Sequence, residues 1–499
     1  MEVHVRLDGR DDLTTQIYRQ LREAVLDARL RPGERLPPTR QLAERLGVAR
    51  NTVAAAYDRL TAEGFLVGRV GSGTYVAPRR LIGEARGGGG GGGGGGVGPP
   101  GAGGGAAPPR PRTAPIGRDV RPRPVWDSVP ETPRHPAPRY DFRVGAPDPA
   151  LFPLQTWRRL VARQLRAATV RYPAYTEPAG HPGLRAALAR HVGISRSVRA
   201  GADDILVTQG AQQALDLIGR VLIEPGDRVA VEEPGYPPAR RLFRTLGARV
   251  TGVPVDAEGL VVAALPADSR LVYVTPSHQF PLGVPMSLAR RTALLDWAER
   301  HGAVVIEDDY DSEYRFAGRP LEPLQSLDRH GRVVYVGSFS KTLLPMLRVG
   351  FLVAPASLRP ALRTARQLTD WHGDLTTQGA LAEFIDEGLL ARHIRRTSRE
   401  YGARRERILA ALAAHLAGWL HPVPSAAGLH LAVRPDPHRT GDLAAAAARA
   451  RESGVAVENL AGYYAERPAQ PGLVIGYGGI ALTDIDEGIR RLAAGFVQR

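Results

Sequence analysis

Residues 87–96 are ten consecutive glycines, set in a stretch from about Pro78 to Pro138 made largely of Gly, Pro and Arg. Glycine loses the most backbone freedom on ordering, and such a stretch has almost no apolar side chain to bury in return, so disorder is expected there. No single core can run through it. The 499 residues are therefore expected to fold as separate bodies on either side, 12–77 and 140–499. As a Gly-rich coil, the ~60 intervening residues would span roughly 45 Å root-mean-square.

The first body has helical periodicity. TTQIYRQLREAVLDARL places Ile17, Leu21, Val25 and Leu26 at helical spacing. In PPTRQLAERLGVARNTVAAAYDRLTAEG, one short helix is expected from about Thr39, capped by Thr39, with Leu42 and Leu46 inside and Gly47 ending it. A second begins near Arg50 and repeats Val53, Tyr57 and Leu60 on one face. Two helices joined by a short glycine turn make a helix-turn-helix, and GFLVGRVGSGTYVA then alternates around Gly71 and Gly73 as a hairpin would. Arg50, Asn51 and Thr52 open the second helix, the end that enters the major groove in this motif. Arg can chelate guanine and Asn adenine, while Arg40 would meet the groove edge. The formal charge is +15, and residues 1–80 hold 14 Arg against 10 acidic side chains, which suits an anionic partner such as double-stranded DNA.

From Tyr140 onward apolar strand-like runs alternate with amphipathic helices, the pattern of an α/β fold on a parallel sheet. DDILVTQGAQQALDLIGRVL reads as strand, turn and helix, with Gly210, Ala211 and Gln212 where backbone amides can hold a phosphate. HGAVVIEDDYDSEY ends a strand in Glu307, Asp308, Asp309 and Tyr310. GRVVYVGSFSKTLLPMLRVGFLVAP ends another in Ser338, Ser340 and Lys341, followed by Arg348. Lys341 is the one lysine among 66 Lys and Arg. A position that keeps an amine where every other basic residue is a guanidinium points to chemistry that needs a deprotonable nitrogen. An aldehyde cofactor has that need. With no cysteine in the chain, thiolate nucleophiles, disulfides and Cys-ligated metals are excluded, and no metal site is expected. No run of 18 apolar residues and no secretory segment is present, so a cytoplasmic protein without membrane contact is expected.

Residues 12–77 resemble the GntR family of winged-helix regulators through PGERLPPTRQLAERLGVARNTVAAAYDRLTAEGFL and GSGTYV. The resemblance implies DNA contacts from Arg40, Arg50, Asn51, Thr52 and the wing at Gly71. Residues 140–499 resemble fold-type I pyridoxal-phosphate enzymes of the aminotransferase class, which implies large and small subdomains, the small one roughly 385–499. Carried over position by position, SFSKTLLPMLRVG makes Lys341 the Schiff-base residue and Arg348 a phosphate ligand. EDDY makes Asp308 the partner of the pyridine nitrogen, with Asp309 the competing choice, and Tyr310 the neighbour of the ring hydroxyl. EEPGYP makes Tyr236 the stacking residue, and Tyr175 in YTEPAGHPGLRAALARHV the residue that reaches the neighbouring subunit's phosphate.

The order of the parts is similar to that of the MocR group of bacterial regulators. TPSHQFPLGVPM belongs to that pattern and puts Phe280 where working aminotransferases carry Asn. PGLVIGYGGI puts Val474 where they place the arginine that clamps a carboxylate, unless Arg366, Arg395 or Arg434 reaches in. The resemblance implies a homodimeric transcription factor that senses pyridoxal phosphate, an amine or an amino acid. The other reading is an active aminotransferase with an appended DNA reader.

Overall fold

The computed structural model describes residues 5–8, 12–69, 72–78, 121–128, 138–166, 175–316, 322–425, 427–438, 442–466 and 468–496. Gly71 and the glycine run lie outside them. The chain forms two compact units, 1–117 and 118–499.

In the first unit three helices, α1 (Leu13–Leu26), α2 (Thr39–Leu46) and α3 (Arg50–Ala62), precede the hairpin of β1 (Leu66–Arg69) and β2 (Gly73–Val76), paired antiparallel. Ile17, Leu21, Leu42, Val53, Ala56 and Leu60 form its core. Gly47 sits at φ +65°, the left-handed turn that lets α2 end and α3 depart at an angle. Two details differ from expectation. Leu26 is 52% exposed, because the helix ends there and Ala24 and Leu30 face inward instead. Thr39 is the first helical residue, not the cap; Pro38 holds the cap position without a side-chain hydrogen bond, its fixed φ already suited to a helix start.

The second unit is built on a sheet whose strands, after a short β3 (Tyr140–Asp141), are β4 (Ile205–Thr208), β5 (Arg228–Glu233), β6 (Arg249–Asp256), β7 (Gly259–Leu260), β8 (Ser269–Val274), β9 (Val304–Asp309), β10 (Val333–Ser338) and β11 (Gly350–Val353). Their order is β4-β11-β10-β9-β8-β5-β6-β7. Interleaved among them are α4 (Pro182–Arg196), α5 (Ala211–Leu222) and α6 (Pro237–Thr245). β5, β6, β8, β9 and β10 pair in parallel; β8, β9 and β10 are buried almost throughout, while β6, nearer the edge, is only partly covered. The sheet is not wholly parallel, however: β11 runs antiparallel to β10 and β4. Residues 339–349 are too short a connection, and carry no crossover helix, to return the chain in parallel.

The smaller body follows a long helix, α7 (Leu389–His415), with β12 (Leu420–Pro422), β13 (His430–Pro435), β14 (Val455–Ala456), β15 (Glu458–Asn459) and β16 (Leu473–Gly476). It is not one C-terminal piece. β3 pairs with β14, and Tyr140, Phe142 and Tyr314 complete its core with Tyr401, Ile408 and Ile475. The stretch before residue 138 also departs from a featureless tether. Pro124–Ser128 forms a 3₁₀ turn against α6, where Arg123 donates to the Thr245 carbonyl at 3.4 Å. Among the described residues no helix is long and apolar enough to cross a membrane.

Candidate cofactor cavity and nucleic-acid interface

Five strands, β4, β5, β8, β9 and β10, deliver their carboxyl ends or the residues just beyond to one cavity of about 380 Å³. Buried strands must stop together where the sheet meets the smaller body, and the side chains past their ends are free to face a ligand. Tyr236 comes from the turn after β5, Tyr273 and Thr275 from β8, Asp308 and Tyr310 from β9, and Ser338, Ser340 and Lys341 from β10. Ala211 and Gln212, the first turn of α5, close the other side.

Lys341 donates from Nζ to the Gly145 carbonyl at 2.5 Å. Desolvation holds its amine below the ordinary lysine range, against the pull of Asp311, Asp308 and Glu458. A lowered amine is what nucleophilic use of lysine requires. Arg348 adopts φ +49°, a left-handed turn between β10 and β11, and donates to the Gln209 carbonyl at 2.6 Å. Its guanidinium passes over Gly210, where an added Cβ would stand 3.1 Å from a guanidinium nitrogen; at φ +81° Gly210 meets both demands that exclude other residues. Ser338 and Ser340 share a hydrogen bond of 3.0 Å beside it. A cation, two hydroxyls and a helix N-terminus thus converge, the donor set that suits a phosphate.

Asp308 and Asp309 part company. Asp308 Oδ2 accepts from the Tyr273 hydroxyl at 2.7 Å, while Oδ1, fully buried, has no partner. Burial pushes its pKa up to about 7. An orphaned carboxylate oxygen in this wall fits a ring N–H, the group a protonated pyridine offers. Asp309, on the other face of β9, accepts from Arg196 at 2.8 Å and from Tyr335 at 2.6 Å. Burial alone would raise its pKa, but Arg196 and Tyr335 hold it low. It does not line the cavity. Glu307 caps the amides of Leu324 and Gln325 at 2.9 Å, also away from it.

Tyr310 donates to the His278 carbonyl at 3.0 Å. Phe280 stands edge-on to Tyr236 and Tyr310, with ring centroids 5.6 and 5.8 Å apart, and Val474 is buried behind it among Leu282, Ala432 and Leu460. None of the three arginines considered as substitutes lines this space. Arg366 is bound to Asp370, Arg395 is exposed, and Arg434 lines a different cavity with Arg405 and His421. Tyr175 is 77% exposed and packs beside Trp371 at 5.1 Å, outside its own chain's cavity.

Sequence reasoning missed Gly145, Tyr273, Asp311, His278 and His430. His278 Nδ1 lies 3.1 Å from Asp311, and its Nε2 3.1 Å from Ser425 Oγ; His430 Nε2 lies 3.1 Å from the Pro281 carbonyl. These contacts join segments up to 149 residues apart, so no local pattern announces them. The TPSHQFPLG stretch was the sole hint, through its histidine.

On the first unit Arg40, Arg50 and Asn51 are exposed and Thr52 partly so. Arg50, Asn51 and Thr52 form the first turn of α3, and Arg40 opens α2 with an exposed pair to Glu44 at 3.3 Å. Such a pair is worth little and leaves the guanidinium free to exchange it for a phosphate.

Residues 141–474 match the family described as aminotransferase class I and II, and residues 13–76 match bacterial regulatory proteins of the gntR family. The chain is 39% identical to the probable rhizopine catabolism regulatory protein MocR of Rhizobium meliloti, over 97% of this chain and 93% of that protein. It is 34% identical to the HTH-type pyridoxine biosynthesis transcriptional regulator PdxR of Corynebacterium glutamicum, over 93% and 92%. The kynurenine aminotransferase of Pyrococcus horikoshii, solved with PMP, superposes with a TM-score of 0.66 at 30% identity, covering 71% of this chain and 90% of the enzyme.

Proposed function

Because the chain belongs to the MocR-type regulators, a gntR-family helix-turn-helix joined to an aminotransferase class I and II domain, it is a DNA-binding transcriptional regulator, and we propose that pyridoxal phosphate held through Lys341 sets its grip on DNA. The observation that carries this reading is the partnerless buried oxygen of Asp308 in the wall that also presents the only lysine.

Bound there, pyridoxal phosphate would supply an aldehyde, a pyridine nitrogen and a phosphate. Lys341 offers the amine, already held toward its neutral form by burial. Asp308 would receive the ring N–H and Tyr310 would meet the ring hydroxyl. Tyr236 would face the ring. Arg348, Ser338, Ser340 and the amides at Gly210, Ala211 and Gln212 would neutralise the phosphate. In a homodimer Tyr175, exposed on its own chain, would complete the partner's phosphate site. Phe280 and Val474 remove a hydrogen bond and an arginine that turnover of amino acids would use, so catalytic transamination is not expected.

Arg50, Asn51 and Thr52 read base edges, with Arg40 on the backbone. The turn 124–128 grips the far end of α6, whose N-cap is Tyr236 of the cavity. A ligand that moves Tyr236 therefore acts on the helix to which the inter-unit segment is anchored. It shifts the population only if it binds one arrangement better than the other.

A gel-shift titration on the gene's own upstream region is expected to show affinities that differ between cofactor-loaded and cofactor-free protein. Equal affinities, with loading verified by visible absorbance, would reject the coupling. Protein that stays colourless with excess pyridoxal phosphate would reject the cofactor.

A further inference from the structure

Beyond the groups assigned to the cofactor, the cavity is walled by Val144, Gly145, Phe280, Leu429, His430 and Thr275, whose hydroxyl donates away to Glu232 at 2.6 Å, with Asp311 alongside. Its polar atoms are acceptors. His430 Nε2–H donates to the Pro281 carbonyl at 3.1 Å, so Nδ1 keeps its lone pair on a ring that lines the cavity. Burial, with His278 nearby, keeps this imidazole neutral. Asp311 is a carboxylate whose oxygens face His278 Nδ1 at 3.1 and 3.2 Å. The Gly145 carbonyl accepts from Lys341 and would lose that donor once the lysine nitrogen is committed elsewhere. The Tyr310 hydroxyl lies 3.0 Å from both the His278 carbonyl, to which it can donate, and His278 Nδ1. Among the described residues lining the cavity, Lys341 and Arg348 are the cations, and both belong to the cofactor's aldehyde and phosphate.

A carboxylate entering this space would meet Asp311, an imidazole lone pair and the apolar Phe280, with no arginine to replace its water. An ammonium or hydroxyl would meet the acceptors it needs. We infer that the effector read at this cavity is a primary amine without a carboxylate, its second donor, hydroxyl or ammonium, held by His430 Nδ1 and the Gly145 carbonyl. This rests on the cofactor reading above.

Two pairs of probes differ by a single carboxylate: ethanolamine against serine, and putrescine against ornithine. Full-length protein loaded with pyridoxal phosphate is titrated with each, following visible absorbance and circular dichroism of the bound cofactor. In at least one pair the amine is expected to half-saturate the change at a concentration about tenfold or more below its amino acid. His430→Phe is expected to narrow that ratio, while the wild-type ratio decides the matter should the variant misfold. An amino acid that saturates at the same or lower concentration in both pairs overturns the inference. So does a cofactor band that no probe perturbs at millimolar concentration. Protein that never forms the band instead refutes the cofactor reading, and this inference falls with it.

Discussion

Asp308→Asn removes a charge that the cofactor-free fold must hold in a buried wall, and its consequences have opposite signs for stability and for binding. Burial raises the carboxyl pKa from 3.8 to about 7. Between those values the folded state binds the proton more tightly than the unfolded chain. The stability linked to this group is therefore full below about pH 4 and is lost as pH rises through about 7. The rise from 3.8 to about 7, at about 1.4 kcal/mol per pH unit, sets a ceiling of about 4 kcal/mol. Relaxation around the charge lowers the real value, and we take about 1–4 kcal/mol. The Tyr273 hydroxyl, 2.7 Å away, can donate equally to an amide oxygen, so the substitution leaves that bond in place. Calorimetry of cofactor-free protein at about pH 8 is expected to show the large unit melting a few degrees higher in the variant, with the gap closing near pH 4. The same variant cannot pair a pyridinium, so its affinity for pyridoxal phosphate is expected to fall about tenfold or more. A melting temperature unchanged or lowered at pH 8, or a gap that ignores pH, would refute the reasoning.

Three further substitutions probe other parts. Lys341→Ala is expected to abolish the visible band on incubation with pyridoxal phosphate while cofactor-free DNA affinity, measured by gel shift, stays within about twofold. Arg50→Ala should weaken operator binding by about 1–3 kcal/mol, roughly 5- to 150-fold, with the cofactor band intact by absorbance. Arg196→Met leaves Asp309 buried without its cation, and denaturant melts should show a loss of about 3–5 kcal/mol in the large unit.

Much of the site was legible because strand ends and sequence singularity are local facts. Lys341 is unique in composition, and Gly210 to Gln212, Ser338, Ser340 and Arg348 follow apolar runs that had to be strands. All of these except Gly210, which packs against Arg348, line the cavity. Asp308 against Asp309 was not decided by pattern. Alternation puts them on opposite faces of β9, but which face is open depends on Arg196, which arrives on α4 from 113 residues away. The β3 strand in the smaller body escaped for the same reason, since its partner β14 lies far along the chain, while β11 runs antiparallel both to its neighbour β10 and to the distant β4.

Composition and periodicity alone determined that this chain has two bodies, a groove-reading helix pair in one and a lone amine at a strand end in the other. Those are properties of neighbours along the chain: side-chain period, turn residues and the inability of glycine and proline runs to bury surface. Only the tertiary structure decided which carboxylate faces the cavity, that His430 lines it with Nε2 tied to the Pro281 carbonyl, and that the turn at 124–128 sits on the helix behind Tyr236. Those outcomes depend on long-range contacts that desolvate a group or supply its partner, and such contacts have no period to read.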